Sequence, residues 1–293
     1  MKIVLGRDDL AAVALTAALD AGATPERVEV KPVNKASRPF LNDGSFDVCE
    51  IPVVTLLQAV AYDKPVALLP VTVLGRFQHQ TLVTLGGLGV GDVPGHSVGV
   101  RSWSQTTGVW LRGFLTEQYG IALSDVEWRT YEDGHVDEHA DPSWVKRAPE
   151  GAKLPKDFLD GKVDFGIMGN ELPADDRIRT AIPDALDVAE DWALRKGFAP
   201  INHVVGVSLS AAGSDPKTVL AVYDALAEAA AATGPVPPPV ELNPVGFAAL
   251  RGPVSEAARY AYEQGVLPRP VEFDELVERT CGALGVPSSR LGA

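Results

Sequence analysis

Short apolar segments alternate with polar, helix-length segments along most of this chain. Nine of the apolar segments predict β-strands: KIVLG, VEVKPV, FDVCEIPV, KPVALLPVTVL, QTLVTLG, SVGVRS, DVEWRTY, VDFGIMG and HVVGVSLS. Residues 105–119 carry a clear helical stripe that ends at Gly120, and a longer Ala-rich helix begins after Ser214 or Asp215 and is expected to end at Gly234. Two more helices are predicted around SEAARYAYEQG and EFDELVERTCGALG. This alternation predicts an α/β protein with largely parallel sheets.

The composition narrows the range of partners. A chain of 293 residues, 46% of them hydrophobic, can build more than one domain. Its formal charge of −13 does not provide the basic surface that nucleic acid requires, so nucleic acid is not an expected partner. Cys49 and Cys281 stand far apart in apolar surroundings and are predicted to be buried thiols. The sequence leaves open whether the chain forms a homo-oligomer.

The expected location follows from two further patterns. No segment reaches the roughly 18 to 20 consecutive apolar residues that a membrane span requires, so we expect no membrane association. The N-terminal segment MKIVLGRDDLAAVAL lacks the long apolar core and the small-residue cleavage site of a signal peptide. A cytoplasmic location is therefore expected, although a leader removed beforehand would leave the same N-terminus.

The segment SVGVRSWSQTT places the start of a predicted helix directly after a predicted strand. The unpaired amides and the dipole of a helix N-terminus both favour a bound anion. The hydroxyl groups of Ser102, Ser104, Thr106 and Thr107 could instead cap those amides. An anion site and a simple helix cap are both consistent with the pattern.

The segment SVGVRSWSQTTGVWLRGFLTEQYGI resembles the 4,5-dihydroxyphthalate decarboxylase family, whose members have the type 2 periplasmic-binding-protein fold. Four other segments are similar to that family in the same order: SFDVCEIPVVTLL, RFQHQTLV, FAPINHVVGV and RYAYEQGV. The resemblance implies a two-lobed α/β fold with a ligand cleft between the lobes. It also implies chain crossings near residues 80–86 and 199–206, with lobe one formed by residues 1–83 plus 204–293 and lobe two by residues 84–203. His79 and His203 lie at these crossings and are expected on the floor of the cleft.

The same resemblance implies a carboxy-lyase that removes CO2 from a hydroxylated aromatic or heteroaromatic carboxylic acid without a cofactor. Such a reaction requires a proton donor, groups that hold the carboxylate and an acceptor for the ring hydroxyl. His79 and His203 are the candidate donors because imidazole titrates near neutral pH, and the sequence does not decide between them. Glu50 ends a predicted strand, where ligand sites of open α/β sheets lie, and could accept a hydroxyl proton or orient a histidine. A core histidine and a helix cap are the structural alternatives.

The expected partner is a small aromatic carboxylate, and several residues are candidates to bind it. Arg76 and Arg101 could pair with its carboxylate, because a planar guanidinium makes two parallel hydrogen bonds, but each is also typical of a surface salt bridge. Trp103 could stack on the aromatic ring or pack between elements. The remaining candidates stand at the predicted helix start: Ser104, Gln105 and Thr106.

Residues 132–139, EDGHVDEH, hold two histidines and four carboxylates. They favour three interpretations: a metal site, a lid over the cleft with His135 touching the ligand, or a plain solvated loop. Because Gly134 and the following Asp141-Pro142 favour irregular backbone, we assign no metal here.

Two other functions remain consistent with the sequence. A non-catalytic small-anion-binding protein, either a solute receptor or a sensor, would use the same cleft. Another lyase or a dehydratase on the same fold would use the same histidines for different chemistry.

Overall fold

The computed structural model of this protein describes residues 1–169, 171–232 and 240–293. Its strands are β1 (Lys2–Val4), β2 (Glu26–Arg27), β3 (Val48–Pro52), β4 (Val66–Gly75), β5 (Leu82–Thr84), β6 (Ser97–Val100), β7 (Glu127–Thr130), β8 (Lys146–Arg147), β9 (Phe165–Ile167), β10 (Arg179–Thr180) and β11 (Ile201–Ser208). Its helices are α1 (Asp8–Asp20), α2 (Ser37–Asp43), α3 (Val53–Ala61), α4 (Thr106–Tyr119), α5 (Leu154–Leu159), α6 (Ala185–Lys196), α7 (Leu209–Ser214), α8 (Pro216–Ala232), α9 (Phe247–Glu263) and α10 (Phe273–Leu284).

The described strands form two sheets. The first has the order β2-β1-β3-β11-β4, and the second has the order β10-β5-β9-β6-β7-β8. The chain therefore builds the first sheet, passes to the second after β4, and returns with β11. The α/β class is confirmed, whereas the exact boundaries at residues 83 and 204 stay a prediction.

Both sheets are mixed, so the expectation of largely parallel sheets was wrong. In the first sheet β1 is parallel to β2 and β3, while β11 is antiparallel to β3 and β4. In the second, β6 is parallel to β7 and β9, while β5 is antiparallel to β9 and β10. The reversed strands β5 and β11 are the first strands after the chain passes from one sheet to the other. They do not follow the strand–helix–strand crossover that makes neighbouring strands parallel.

Most of the predicted elements are present. Eight of the nine apolar segments contain a strand, and α4 ends at Gly120, whose φ of 64° is left-handed as its glycine allows. Asp215 caps α8, since its side chain accepts a hydrogen bond from the Thr218 amide at 3.2 Å, whereas the expected stop at Gly234 lies outside the described residues. The segment VEVKPV forms no strand: Pro32 has no amide to donate to a ladder, and a 3-10 helix follows at Val33–Ala36.

Two buried helices bring their N-termini together at the edge of the sheets. Helix α3 follows β3 directly, and α4 follows β6 after a turn of five residues, 101–105. The Thr106 hydroxyl accepts a hydrogen bond from the Val54 amide at 3.3 Å, which joins the first turns of the two helices. Among the described helices, none is long and apolar enough to cross a bilayer.

Candidate functional site

A cavity of about 300 Å³ lies beside these two helix starts, at the lower end of the range for small-molecule sites. Elements of the first sheet contribute Pro52, Thr55, Leu74 and Arg76, and β11 contributes Asn202 and His203. Elements attached to the second sheet contribute the turn between β6 and α4 together with His135, Gly169 and Glu171. Side chains from both sheets therefore surround one cavity, which we call the inner cavity.

His203 lines the inner cavity and pairs with the buried Glu50 behind it. Its Nδ1 lies 2.6 Å from Glu50 Oε1, and Glu50 Oε2 accepts a hydrogen bond from the Gly6 amide at 2.8 Å. Because an ionised carboxylate can only accept, Nδ1 carries the proton of this hydrogen bond and Nε2 is the ring nitrogen left for a ligand.

The register of the first sheet explains this pair. Val205 lies opposite Glu50 in the antiparallel β3–β11 ladder, and His203 is two residues from Val205 on β11. Residues two apart in a strand share a face, and diagonal neighbours across strands are within reach of long side chains. Strand pairing therefore brings together two residues that are 153 positions apart.

The turn between β6 and α4 lines the inner cavity, as the sequence predicts for Ser104, Gln105 and Thr106. Gln105 is the N-cap residue of α4 but makes no capping side-chain hydrogen bond. Its Oε1 is buried and has no hydrogen-bond partner within the described residues. The helix start thus offers the cavity an amide side chain and hydroxyl groups beside the favourable end of a helix dipole.

Both arginines predicted to bind a carboxylate also line the inner cavity. Arg76 lies next to Thr107, with its Nη2 3.5 Å from the threonine hydroxyl, and burial lowers the pKa of its guanidinium. Arg101 lies 3.8 Å from Glu132 through its Nε and is about one quarter exposed. The site therefore holds two cationic side chains beside the helix start.

His135 lines the inner cavity from the acidic segment. Its Nδ1 lies 2.9 Å from the Thr55 hydroxyl. Burial, together with the nearby positive charges of Arg101 and Arg38, lowers the pKa of His135 to about 4, so its imidazole is neutral at pH 7. His135 therefore contacts both the inner cavity and α3, as expected for a residue that touches the ligand.

The two histidines of this segment do not converge. His139 lies 3.8 Å from Asp141, apart from the Thr55 contact of His135. Within residues 1–169, 171–232 and 240–293, no cluster of three or more metal-ligating side chains is present.

Trp103 and His79 do not line the inner cavity, and their predicted positions were wrong. The Trp103 indole is fully buried, donates to the Gln264 carbonyl at 3.0 Å and lies 3.7 Å beneath the Arg112 guanidinium. His79 starts a short 3-10 helix, and its ring stacks on Phe114 at 4.1 Å. Both side chains turn towards the body of α4 rather than its N-terminus. Neighbouring side chains therefore cover the ring faces on which a ligand would have to stack.

Comparison with known proteins bears on this site. No family model matches the chain. It is 28% identical to a 4,5-dihydroxyphthalate decarboxylase of Comamonas testosteroni over 189 residues, which cover 59% of this chain and 57% of that protein. It is 27% identical to a 4,5-dihydroxyphthalate decarboxylase of Pseudomonas putida over 166 residues, 51% of this chain and 64% of that protein. The resemblance to the 4,5-dihydroxyphthalate decarboxylases is confirmed. The chain nevertheless spans less than two thirds of the length of either relative.

Solved structures confirm the fold. The periplasmic aliphatic sulphonate binding protein SsuA of Escherichia coli superposes with a TM-score of 0.55 at 14% identity, covering 94% of this chain and 96% of that one. The desulfurization enzyme DSZB superposes with a TM-score of 0.55 at 15% identity, covering 97% and 99%. The chain therefore has the two-lobed periplasmic-binding-protein fold, which binding proteins and enzymes share.

Sequence reasoning missed several residues of the inner cavity. Thr55, Asn202 and Glu171 line the inner cavity, although none of them was predicted to do so. Asn202 bridges Gln78 on one side and Thr107, at 3.5 Å, on the other. The available signal was that Thr55 and Asn202 lie in the same two family-like segments as Glu50 and His203.

We expect the folded state to lose stability at acidic pH because His79 is buried. Burial lowers its pKa to about 4 in the native state, against 6.5 for an ordinary histidine. The unfolded chain therefore binds a proton first as the pH falls, so stability is lost from about pH 6.5 towards pH 4, by about 3 kcal/mol at most. In urea unfolding at stepped pH, the H79L variant should lose less stability over this interval than the wild type. An unchanged slope would remove His79 from the acid response.

Residues 132–141, which we call the strap, tie the second sheet to α2 and α3 beside the inner cavity. Asn42 donates to the His135 carbonyl at 3.4 Å and Lys64 pairs with Glu138 at 2.6 Å. Arg38 binds both Asp137 and the Gly134 carbonyl. A Cβ at Gly134 would lie 2.6 Å from Ser104 Oγ, so the strap needs glycine there to approach the helix start.

Weakening the strap should speed ligand release. Exposed ion pairs contribute about 0.2 to 1 kcal/mol each, so the R38Q/K64Q double variant should raise Kd a few-fold, mainly through a faster off-rate in stopped-flow measurements. The K146Q variant is the control, because Lys146 pairs with Glu127 at 2.9 Å within the second sheet. Equal off-rates in the double variant and the control would show that the strap does not hold the ligand.

Proposed function

We propose that this chain is a decarboxylase that protonates a ring carbon of a hydroxylated aromatic or heteroaromatic acid and releases CO2 without a cofactor. The observation that carries the proposal is the pairing of His203 with Glu50 at 2.6 Å, because His203 lines the same cavity as Arg76 and Arg101. Similarity to two 4,5-dihydroxyphthalate decarboxylases supports the same reaction class.

The arrangement assigns a role to each part of the inner cavity. Arg76, Arg101 and the start of α4 hold the carboxylate by charge-assisted hydrogen bonds. Glu50 fixes the His203 ring through Nδ1 and supplies the counter-charge when the ring is protonated. His203 Nε2 then gives its proton to the ring carbon that bears the carboxylate. The bond from that carbon to the carboxylate breaks, its electron pair restores the ring, and CO2 leaves.

Two neutral groups suit the hydroxyl substituents of such a substrate. The buried Gln105 Oε1 is an acceptor. The neutral His135 imidazole presents Nε2, which is a second acceptor in the tautomer whose Nδ1 donates to the Thr55 hydroxyl. A hydroxyl hydrogen-bonded to these acceptors places more electron density on the ring, which makes the ring carbon easier to protonate. A non-hydroxylated acid would leave both acceptors unpaired.

A binding protein without turnover is the second candidate, favoured by the fold it shares with sulphonate-binding proteins. The two functions separate in one experiment. Purified protein is incubated with a panel of ortho- and para-hydroxylated benzoates and benzenedicarboxylates, while CO2 release and thermal stabilisation are followed together. CO2 from an acid that also stabilises the fold supports the decarboxylase. Stabilisation with no CO2 from any member favours the binding protein.

A further inference from the structure

A second and larger cavity, of about 830 Å³, adjoins the inner cavity. We call it the outer chamber. The two share five lining residues: Pro32, Asn34, Arg101, His135 and Glu171. The two cavities therefore meet at Arg101 and His135, where a ligand longer than the inner cavity would extend.

Apolar and cationic side chains line the outer chamber together. Pro39, Tyr131, Leu154 and Pro155 supply apolar surface, with Pro39 on α2 and the others from elements attached to the second sheet. Five cationic side chains face three acidic ones: Lys35, Arg38, Arg101, Lys153 and Lys156 against Glu132, Asp133 and Glu171. In a chain with a formal charge of −13, this local excess of positive charge favours an anionic ligand.

Two of the cations are available to such a ligand. Arg38 is held by Asp137, and Lys156 pairs with Asp160 at 2.6 Å. The Lys153 side chain, by contrast, is 69% exposed, and the acidic group near its ammonium is Glu132 Oε1, at a long distance of 4.0 Å. The Lys35 ammonium forms no ion pair or hydrogen bond within the described parts of the chain. The two lysines come from opposite sides of the chamber, since Lys35 precedes α2 and Lys153 precedes α5.

We propose that the preferred ligand is an extended aromatic acid rather than a single-ring acid. Its reacting ring and carboxylate occupy the inner cavity, and a second apolar unit crosses the outer chamber to end in an anionic group beside Lys35 and Lys153. The inner cavity of about 300 Å³ is sufficient for one substituted ring. The outer chamber would therefore select among ligands by the apolar and anionic groups attached to that ring. The reaction at the inner end rests on the proposed function, whereas the binding preference does not.

Calorimetric titration with three related acids tests this proposal. Salicylate carries the reacting ring alone, 5-phenylsalicylate adds the apolar unit, and 5-(4-carboxyphenyl)salicylate adds the distal carboxylate. The third should bind at least about tenfold more tightly than salicylate, because apolar burial and a charge-assisted contact add to the same anchored ring. The K35Q/K153Q double variant should lose about tenfold in affinity for the third acid and leave the other two unchanged.

The control is K217Q, which removes an exposed lysine on α8, away from both cavities. Equal affinity of the wild type for salicylate and 5-(4-carboxyphenyl)salicylate, or no binding of the latter, would overturn the proposal. So would a K35Q/K153Q variant that binds all three acids equally weakly. Tight, lysine-dependent binding of the third acid with no CO2 release would support the outer chamber while counting against the decarboxylase.

Discussion

Replacing His203 with glutamine is expected to lower the rate of CO2 release by about 10²- to 10⁴-fold, the usual contribution of a positioned acid–base group. The glutamine amide can still hydrogen-bond to Glu50, so the wall of the inner cavity keeps its shape, but it cannot deliver a proton to the ring carbon. Arg76, Arg101 and the start of α4 are unchanged in this variant. Thermal stabilisation by the substrate should therefore persist while turnover is lost.

Two further variants sharpen this result. E50Q keeps a hydrogen-bond acceptor for Nδ1 but removes the counter-charge, so its turnover should fall by less than that of H203Q. H96Q is the matched control, because His96 packs against the edge of Phe165 and lies outside the lining of the inner cavity. Wild-type turnover in H203Q would exclude His203 as the proton donor. Loss of turnover in H96Q would show that the assay responds to histidine replacement in general.

Replacing Arg76 with glutamine should weaken binding of the carboxylate more than any other single change in the inner cavity. A hydrogen bond to a charged group contributes about 1.5 to 3 kcal/mol, which corresponds to an increase in Kd of about 10- to 150-fold. Burial lowers the pKa of the Arg76 guanidinium, so solvent screens its charge only in part. Titration calorimetry with any acid that the wild type binds measures the effect directly.

Gly169 offers a second test of the same contact without removing the charge. A Cβ at this position would lie 2.5 Å from Arg76 Nη2, so G169A should displace the guanidinium and also raise Kd. R129Q is the control, since Arg129 lies on β7 and donates to the Lys162 carbonyl instead. An R76Q variant with unchanged Kd would mean that the carboxylate binds elsewhere, with Arg101 as the next candidate.

The parts of the site that the sequence predicts are those that local structure determines. The strand, turn and helix of SVGVRSWSQTT form as expected because apolar periodicity and a terminal Gly120 specify them within about twenty residues. That turn lines the inner cavity for the same reason: one strand end and one helix start determine where it lies. Glu50 and His203 were identified as candidates individually, but their contact depends on the antiparallel register of β3 and β11, which neither segment encodes alone.

The predictions that failed depend on which way a side chain turns. His203 lies on the long strand β11, and His79 follows the long strand β4. The sequence pattern alone does not distinguish these two histidines as proton donors. The chain after β4 bends into a 3-10 helix at His79–Thr81, which turns the His79 ring onto Phe114. Trp103 similarly packs beneath Arg112, which is fully buried within α4. Residues distant in the sequence determine how these side chains pack, so no local motif predicts their orientation.

The most direct test of the proposed mechanism follows the proton that the ring carbon receives when CO2 leaves. An acid that yields CO2 with this protein is incubated in D2O, and the product is examined by mass spectrometry and NMR. The account predicts one deuterium for each CO2 released, located on the ring carbon that carried the carboxylate, with both signals lost in H203Q. Deuterium at another carbon, or CO2 release and labelling in H203Q at the wild-type level, would contradict ring protonation by His203.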